Sequence, residues 1–268
     1  MLNRKILISS YVLLLLATEG LADLQIFPTR VLLTDQKRTA HISLRHLGNT
    51  VGEYRVTAVF YRMGFNGAME LIQSPKPEEN SAIKFLRFSP RQVSLPPRLE
   101  QILRVTALAP SNLPEGDYRA HLFFEPLSSE TPIKGKQSDG VNMQLQAKLA
   151  VAVPVVFRHG SKVTKASLSQ LKFVKLPDGS PGYSARLARA GKGFLYGDLR
   201  ATFVPKEGNP QEVGFVAGVS SYLDEREVQF PLKLQNGLVL KHGTLRLEFR
   251  DPSEGGGKTL AFIEESIQ

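Results

Sequence analysis

Residues 141–155 read VNMQLQAKLAVAVPV, and every odd-numbered position in this stretch is apolar: Val141, Met143, Leu145, Ala147, Leu149, Val151, Val153 and Val155. Asn142, Gln144, Gln146 and Lys148 keep the alternate face polar, the period-two signature of a half-buried β-strand. Strands usually run to about five or six residues, so this one reads as too long for its own domain and as built to pair with something else. From residue 150 the even positions turn to Ala150, Ala152 and Pro154. The last part therefore reads as core of its own domain, and 141–149 as the part offered outward.

The N-terminus says where that pairing takes place. Arg4 and Lys5 precede an apolar run over residues 6–17, and Gly20-Leu21-Ala22 closes the segment before Asp23. This is the pattern of a cleavable signal peptide over residues 1–22, because the apolar run is well short of the roughly 20 residues that a membrane span needs. A retained signal anchor is the alternative. No later stretch is long and apolar enough to span a membrane, so the expectation is an exported chain without stable membrane insertion.

About 245 residues remain after that segment, enough for two domains of ordinary size. The net charge of +9 suits an anionic partner in principle, but the basic residues are scattered and not interleaved with aromatics, which argues against nucleic acid. Cysteine is absent, so neither disulfides nor thiolate metal sites are available and the cores must hold by packing.

Residues 24–33, 40–47, 53–61, 82–88, 101–107 and 118–124 read as strands, bounded by Gly, Pro, Asn or Asp. Arg158-His159-Gly160-Ser161 reads as a polar break suited to a hinge. A second series follows at 166–176, 182–189, 195–204, 212–217, 227–232, 245–249 and 259–265, with almost nothing helical. Short strands in this density predict an all-β chain of two tandem immunoglobulin-like β-sandwich domains, residues 23–158 and 162–268, joined by a short hinge.

Several stretches resemble the PapD-like periplasmic chaperones of the chaperone-usher pathway: FSPRQVSLPP at 88–97, QILRV at 101–105 and LPEGDYRAHL at 113–122. FPTRV at 27–31 is similar to the family's first strand and VPVVFR at 153–158 to the exit of its long G strand. GDL at 197–199 and GTLRL at 243–247 fit more loosely. The resemblance implies a boomerang arrangement of two domains and a chaperone in the periplasm of a Gram-negative bacterium. Its partners would be pilus or fimbrial subunits and an outer-membrane usher.

The resemblance also gives the long strand a task. Pilus subunits in this pathway lack their last strand, and an exposed edge of that kind aggregates. By donor-strand complementation the chaperone lends its own strand: backbone bonds give affinity and alternate side chains fill the groove. Val141, Met143, Leu145, Ala147 and Leu149 would fill it here. The family further holds the subunit's terminal carboxylate with two basic residues, of which Arg30 matches the first; as a strand arginine it could equally be solvated. Pro154 stands where the best-known branch has lysine. The second anchor is then Lys148, Arg91 or Arg104, and the departure points to a divergent branch. Arg158 matches an arginine that fixes the interdomain angle, or is a surface residue. Residues 126–140 read as a loop before the donor strand, mobile until a subunit binds or an ordinary hairpin connection. An unoccupied apolar strand face invites self-association.

Enzymatic chemistry finds no footing. His41, His46, His121, His159 and His242 form no HxxxH or HExxH spacing, and His41 and His46 face opposite sides of one strand. There is no Gly-x-Ser-x-Gly elbow and no thiol. Gly257-Lys258-Thr259 resembles a phosphate loop, but Pro252 stands where its first glycine belongs. No enzyme activity, cofactor or metal is expected. The rival class is a secreted structural or adhesin subunit of a surface fibre. It would need an N-terminal donor extension, and residues 23–27 are too short for one.

Overall fold

The computed structural model describes residues 24–127, 149–160, 164–234, 240–252 and 257–268. The signal segment, most of the 126–140 loop, and the donor positions Val141, Met143, Leu145 and Ala147, with Lys148, lie outside the described residues. Among the described residues there are seventeen strands: β1 (Leu24–Phe27), β2 (Val31–Thr34), β3 (Thr39–His46), β4 (Gly52–Met63), β5 (Met69–Ile72), β6 (Leu86–Ser89), β7 (Gln92–Leu95), β8 (Glu100–Ala107), β9 (Gly116–Pro126) and β10 (Val151–His159) in the first half. The second half holds β11 (Lys165–Lys175), β12 (Pro181–Ala190), β13 (Leu195–Pro205), β14 (Gln211–Ser221), β15 (Glu225–Pro231), β16 (Gly243–Arg250) and β17 (Thr259–Ile267).

The strands form two sandwiches in tandem. In the first, a sheet ordered β1-β3-β8-β6 faces a sheet ordered β2-β10-β9-β4-β5, with β7 also paired to β4. In the second, β11-β12-β15 faces β14-β13-β16-β17. Alternation puts one face of each strand inward. Ile42 and Leu44 of β3, Leu103 and Val105 of β8, Leu122 and Phe124 of β9, and Val153 and Val155 of β10 meet in the first core. Leu187, Leu199, Phe203, Phe230, Leu247 and Phe249 anchor the second. Each fully buried side chain of this size contributes about 1.5–3 kcal/mol.

Four details depart from the strand pattern expected of the sequence. The stretch 24–33 is two strands, because Pro28 has no N–H to continue a ladder. β1 stays with β3, whereas β2 crosses to the other sheet and pairs with β10 in parallel. Residues 83–85 form a turn, so the strand expected over 82–88 begins only at Leu86. Arg158 and His159, expected as the polar break, are still strand, each paired with β9. Within the described part of the opening stretch, β10 begins at Val151, and Leu149 is 57% exposed.

β13 and β16 approach closely at Gly197. A Cβ built on Gly197 would lie 2.4 Å from the Arg250 carbonyl oxygen and 2.8 Å from the Phe249 ring. Gly197→Ala is therefore expected to destabilise the protein by about 1–3 kcal/mol through overpacking. Urea unfolding of the variant checks this, with the loss appearing in the second sandwich.

Candidate functional site: the cleft between the sandwiches

The site begins with the alternation of β9. Tyr118, Ala120, Leu122 and Phe124 fill the first core, so Asp117, Arg119 and His121 point the other way. In a lone sandwich that face would be wet. Here Phe194 and Tyr222 of the second sandwich pack with Met63 and Val156 of the first, leaving Asp117 0%, Arg119 5% and His121 5% exposed.

A buried carboxylate must be paired and hydrogen-bonded to stay charged. Arg158 donates to Asp117 through Nε at 2.9 Å and Nη2 at 2.8 Å, a bidentate pair. The Phe194 amide of the second sandwich donates to the same carboxylate at 2.7 Å. Bonding to Asp117 raises the Arg158 guanidinium above its ordinary pKa. This one side chain thus joins two strands of the first sandwich to the second.

Arg30 lies in the same cleft. Its guanidinium carbon is 4.1 Å from the centre of the Tyr196 ring, and its Nε is buried without a hydrogen-bond partner. Burial lowers its pKa. Arg119 is held likewise, 4.4 Å from the Phe60 ring centre and 4.2 Å from that of Tyr222, with one bond to the Tyr61 carbonyl at 2.7 Å and a partnerless Nε. Burial pushes it down to about 10. Aromatic faces hold these cations but do not neutralise them, and Asp117 is already taken by Arg158. The cleft is therefore disposed to receive an anion, since a carboxylate would restore the charge-assisted bonds that these guanidinium groups lack.

The other basic residues expected as anchors are elsewhere. Arg104 is exposed on the four-stranded sheet, level with His41 and Ser89. Arg91 is exposed beside Phe88, at a surface depression shared with Arg55 and Arg87. Neither is brought together with Arg30, and Lys148 is outside the described residues. Two other basic residues of the cleft, Arg119 and His121, were not singled out in the sequence as site residues. Arg119 and His121 alternate with core residues as any solvent-facing pair would, and only the second sandwich buries them. His41 is exposed and His46 buried against the Tyr54 hydroxyl at 3.2 Å, on opposite faces of β3 as alternation requires.

β10 supplies the remaining feature. β9 pairs with it over its whole length, but β2 reaches only Val155 to Arg158. From Val151 to Pro154 its second edge has no strand among the described residues. Arg30 stands one residue before Val31, the first β2 residue paired with β10, and so close to the point where that edge begins. Among the described residues no three His, Asp or Glu side chains gather as metal ligands, and no helix is long and apolar enough to cross a membrane.

Two outcomes follow from this geometry. Asp117→Ala leaves Arg158 and the Phe194 amide without their acceptor and is expected to cost about 3–5 kcal/mol. Denaturant unfolding, with faster hydrogen exchange at the Phe194 amide, measures it. His121 is held down to about 4, by burial first and by the Arg119 charge second. Its folded pKa lies below its unfolded value, so its protonation opposes folding: the stability it allows is full above about 6.5 and is lost as pH falls toward 4. The difference in stability between the native protein and His121→Phe should change across that window.

No protein-family model matches this chain, and no curated protein matches it in sequence. Solved structures match it in fold. It is similar to the YadV chaperone, at 12% identity and a TM-score of 0.47, with 91% of this chain and 100% of that one covered. It is also similar to a chain of the CsuC–CsuE chaperone–tip adhesion subunit pre-assembly complex, from the archaic chaperone-usher Csu pili of Acinetobacter baumannii. There the identity is 14% and the TM-score 0.46, over 91% of this chain and 98% of that one. The CupB2 chaperone of Pseudomonas aeruginosa matches at 12% identity and a TM-score of 0.43, covering 91% and 100%.

Proposed function

We propose that this chain is a periplasmic chaperone that binds, folds and caps pilus or fimbrial subunits by donor-strand complementation and delivers them to an outer-membrane usher. In this reading residues 1–22 are a cleaved signal peptide, 23–158 the domain that lends its strand and 162–268 the second sandwich. The observation that carries it is the one-sided ladder of β10 ending at Arg30. A polypeptide that pairs with the edge beside Val151–Pro154, which has no second strand among the described residues, lies in line with β2 and must stop where β2 begins. Running parallel to β10, as β2 does, it presents its C-terminal carboxylate to Arg30; running antiparallel, it would present an ammonium group to a guanidinium. Charge therefore selects the parallel register. Upstream of the edge, Leu149 and the alternating Ala147, Leu145, Met143 and Val141 fill the subunit's groove, and backbone bonds supply the affinity.

Co-expression with candidate subunits tests this. Replacing Leu145 and Leu149 together by Glu should abolish co-purification of the subunit, and survival of capture would overturn the donor-strand reading. Arg30→Ala should weaken capture roughly 10- to 100-fold, the worth of a hydrogen bond to a charged group. Because Arg30 is a half-buried cation whose Nε is buried and unpaired, the same variant should unfold at no lower a temperature than the native protein. Weakened capture with a lowered Tm would instead mark Arg30 as a structural residue.

A further inference from the structure

The contact between the sandwiches holds more positive than negative charge. Arg30, Arg119, Arg158 and Arg226 reach into it, and the carboxylate that faces them, Asp117, is already bonded to Arg158. Glu79, which also faces Arg119, is held by Arg62 at 2.6 Å. His121 stands among these groups on the same face of β9 as Arg119 and is 5% exposed. Its ring lies edge-on to Tyr61 of the first sandwich, with centroids 5.1 Å apart, and to Tyr222 of the second, at 6.4 Å. A proton on this ring would add a cation where water is scarce and the facing carboxylates are already bonded to arginines.

The chain crosses to the second sandwich at a different point, and there it is tied. Asp35, in the turn after β2, accepts from the Gly160 amide at 2.8 Å and lies 2.8 Å from His159 Nδ1. Gly160 takes a φ of +75°, which favours glycine, and a Cβ there would meet the Glu115 carboxyl at 2.8 Å. Arg38 stands 3.6 Å from Asp35. His121 is level with Pro154, five residues before His159 on β10, so the two places are about 16 Å apart along the strand.

We infer that the contact is an acid-operated hinge: protonation of His121 drives Phe194 and Tyr222 off the first sandwich, while the Asp35 clasp at Gly160 holds as the pivot and each sandwich stays folded. In the closed state burial first and the Arg119 charge second hold His121 down to about 4, and in the open state water returns it to its ordinary 6.5. The open state therefore binds the proton more tightly and gains as pH falls below 6.5; the closed-to-open ratio should drop about 100-fold between pH 7 and pH 4. Asp35 is shifted in the sense that keeps the pivot charged: the Gly160 amide first and His159 second hold its carboxyl below the ordinary carboxylate range.

Hydrogen exchange of the purified mature protein, read amide by amide by NMR and corrected for the intrinsic rate at each pH, measures the opening. The Phe194 amide, bonded to Asp117 across the contact, should be less protected than the Leu122 and Leu247 amides of the two cores, and its protection should fall about 100-fold from pH 7 to pH 4. The Gly160 amide should keep its protection. His121→Phe, with His121→Leu as a second variant should the first not fold, should flatten the pH dependence at Phe194. Equal protection of Phe194 and the core amides at every pH would mean that the sandwiches part only on unfolding and would overturn the hinge. The same acid loss in the His121 variants would assign the switch to another group such as Asp117, and loss at Gly160 in step with Phe194 would remove the pivot; either result overturns the proposal.

Discussion

The carboxylate of Asp117 is the constraint around which this molecule is arranged. It is fully buried and accepts two bonds from Arg158 and one from the Phe194 amide. Taking a carboxylate out of water costs several kcal/mol, and only geometry of this completeness offsets it. Because one acceptor comes from β9, two donors from β10 and the third from the opposite sandwich, the pair sets how the second sandwich meets the first. The buried apolar contact of Met63, Val156, Phe194 and Tyr222 then closes around it.

Three groups with unsatisfied atoms lie on the face that this contact covers. Arg30 and Arg119 lie against aromatic rings with a bond-less Nε each, and His121 is kept neutral beside them. Such groups are costly to a protein that only needs to fold, and burial lowers both arginines and the histidine for that reason. This unspent bonding capacity, next to a ladder edge with no strand among the described residues, is what supports the proposed partner site. The β4–β5 hairpin adds a second hold between the sandwiches. The Phe65 carbonyl accepts from the Glu227 amide at 2.8 Å, and the Arg186 guanidinium lies 4.3 Å from the Phe65 ring centre.

Much of this was legible in the residues. The strands of both sandwiches follow from alternation and turn residues, since a side-chain period of two leaves little choice of face. Arg30 could be singled out, although not its lack of a bond. The split of residues 24–33 was not legible as a change of sheet: Pro28 announces an interruption, but which sheet Val31 joins depends on where β10 runs. Arg119 and His121 were illegible for a different reason. A polar residue between two core residues looks the same whether water or another sandwich lies beyond it.

By itself, then, the sequence determined the all-β class and the inward face of most strands, because these depend on local periodicity and steric preference. Only the tertiary structure decided that Asp117, Arg119 and His121 are buried, that Arg30 immediately precedes the first β2 residue paired with β10 and that the β10 edge before that point meets no second strand among the described residues. Those facts depend on which surfaces meet and which charges lose their water, and no local pattern in the chain encodes them.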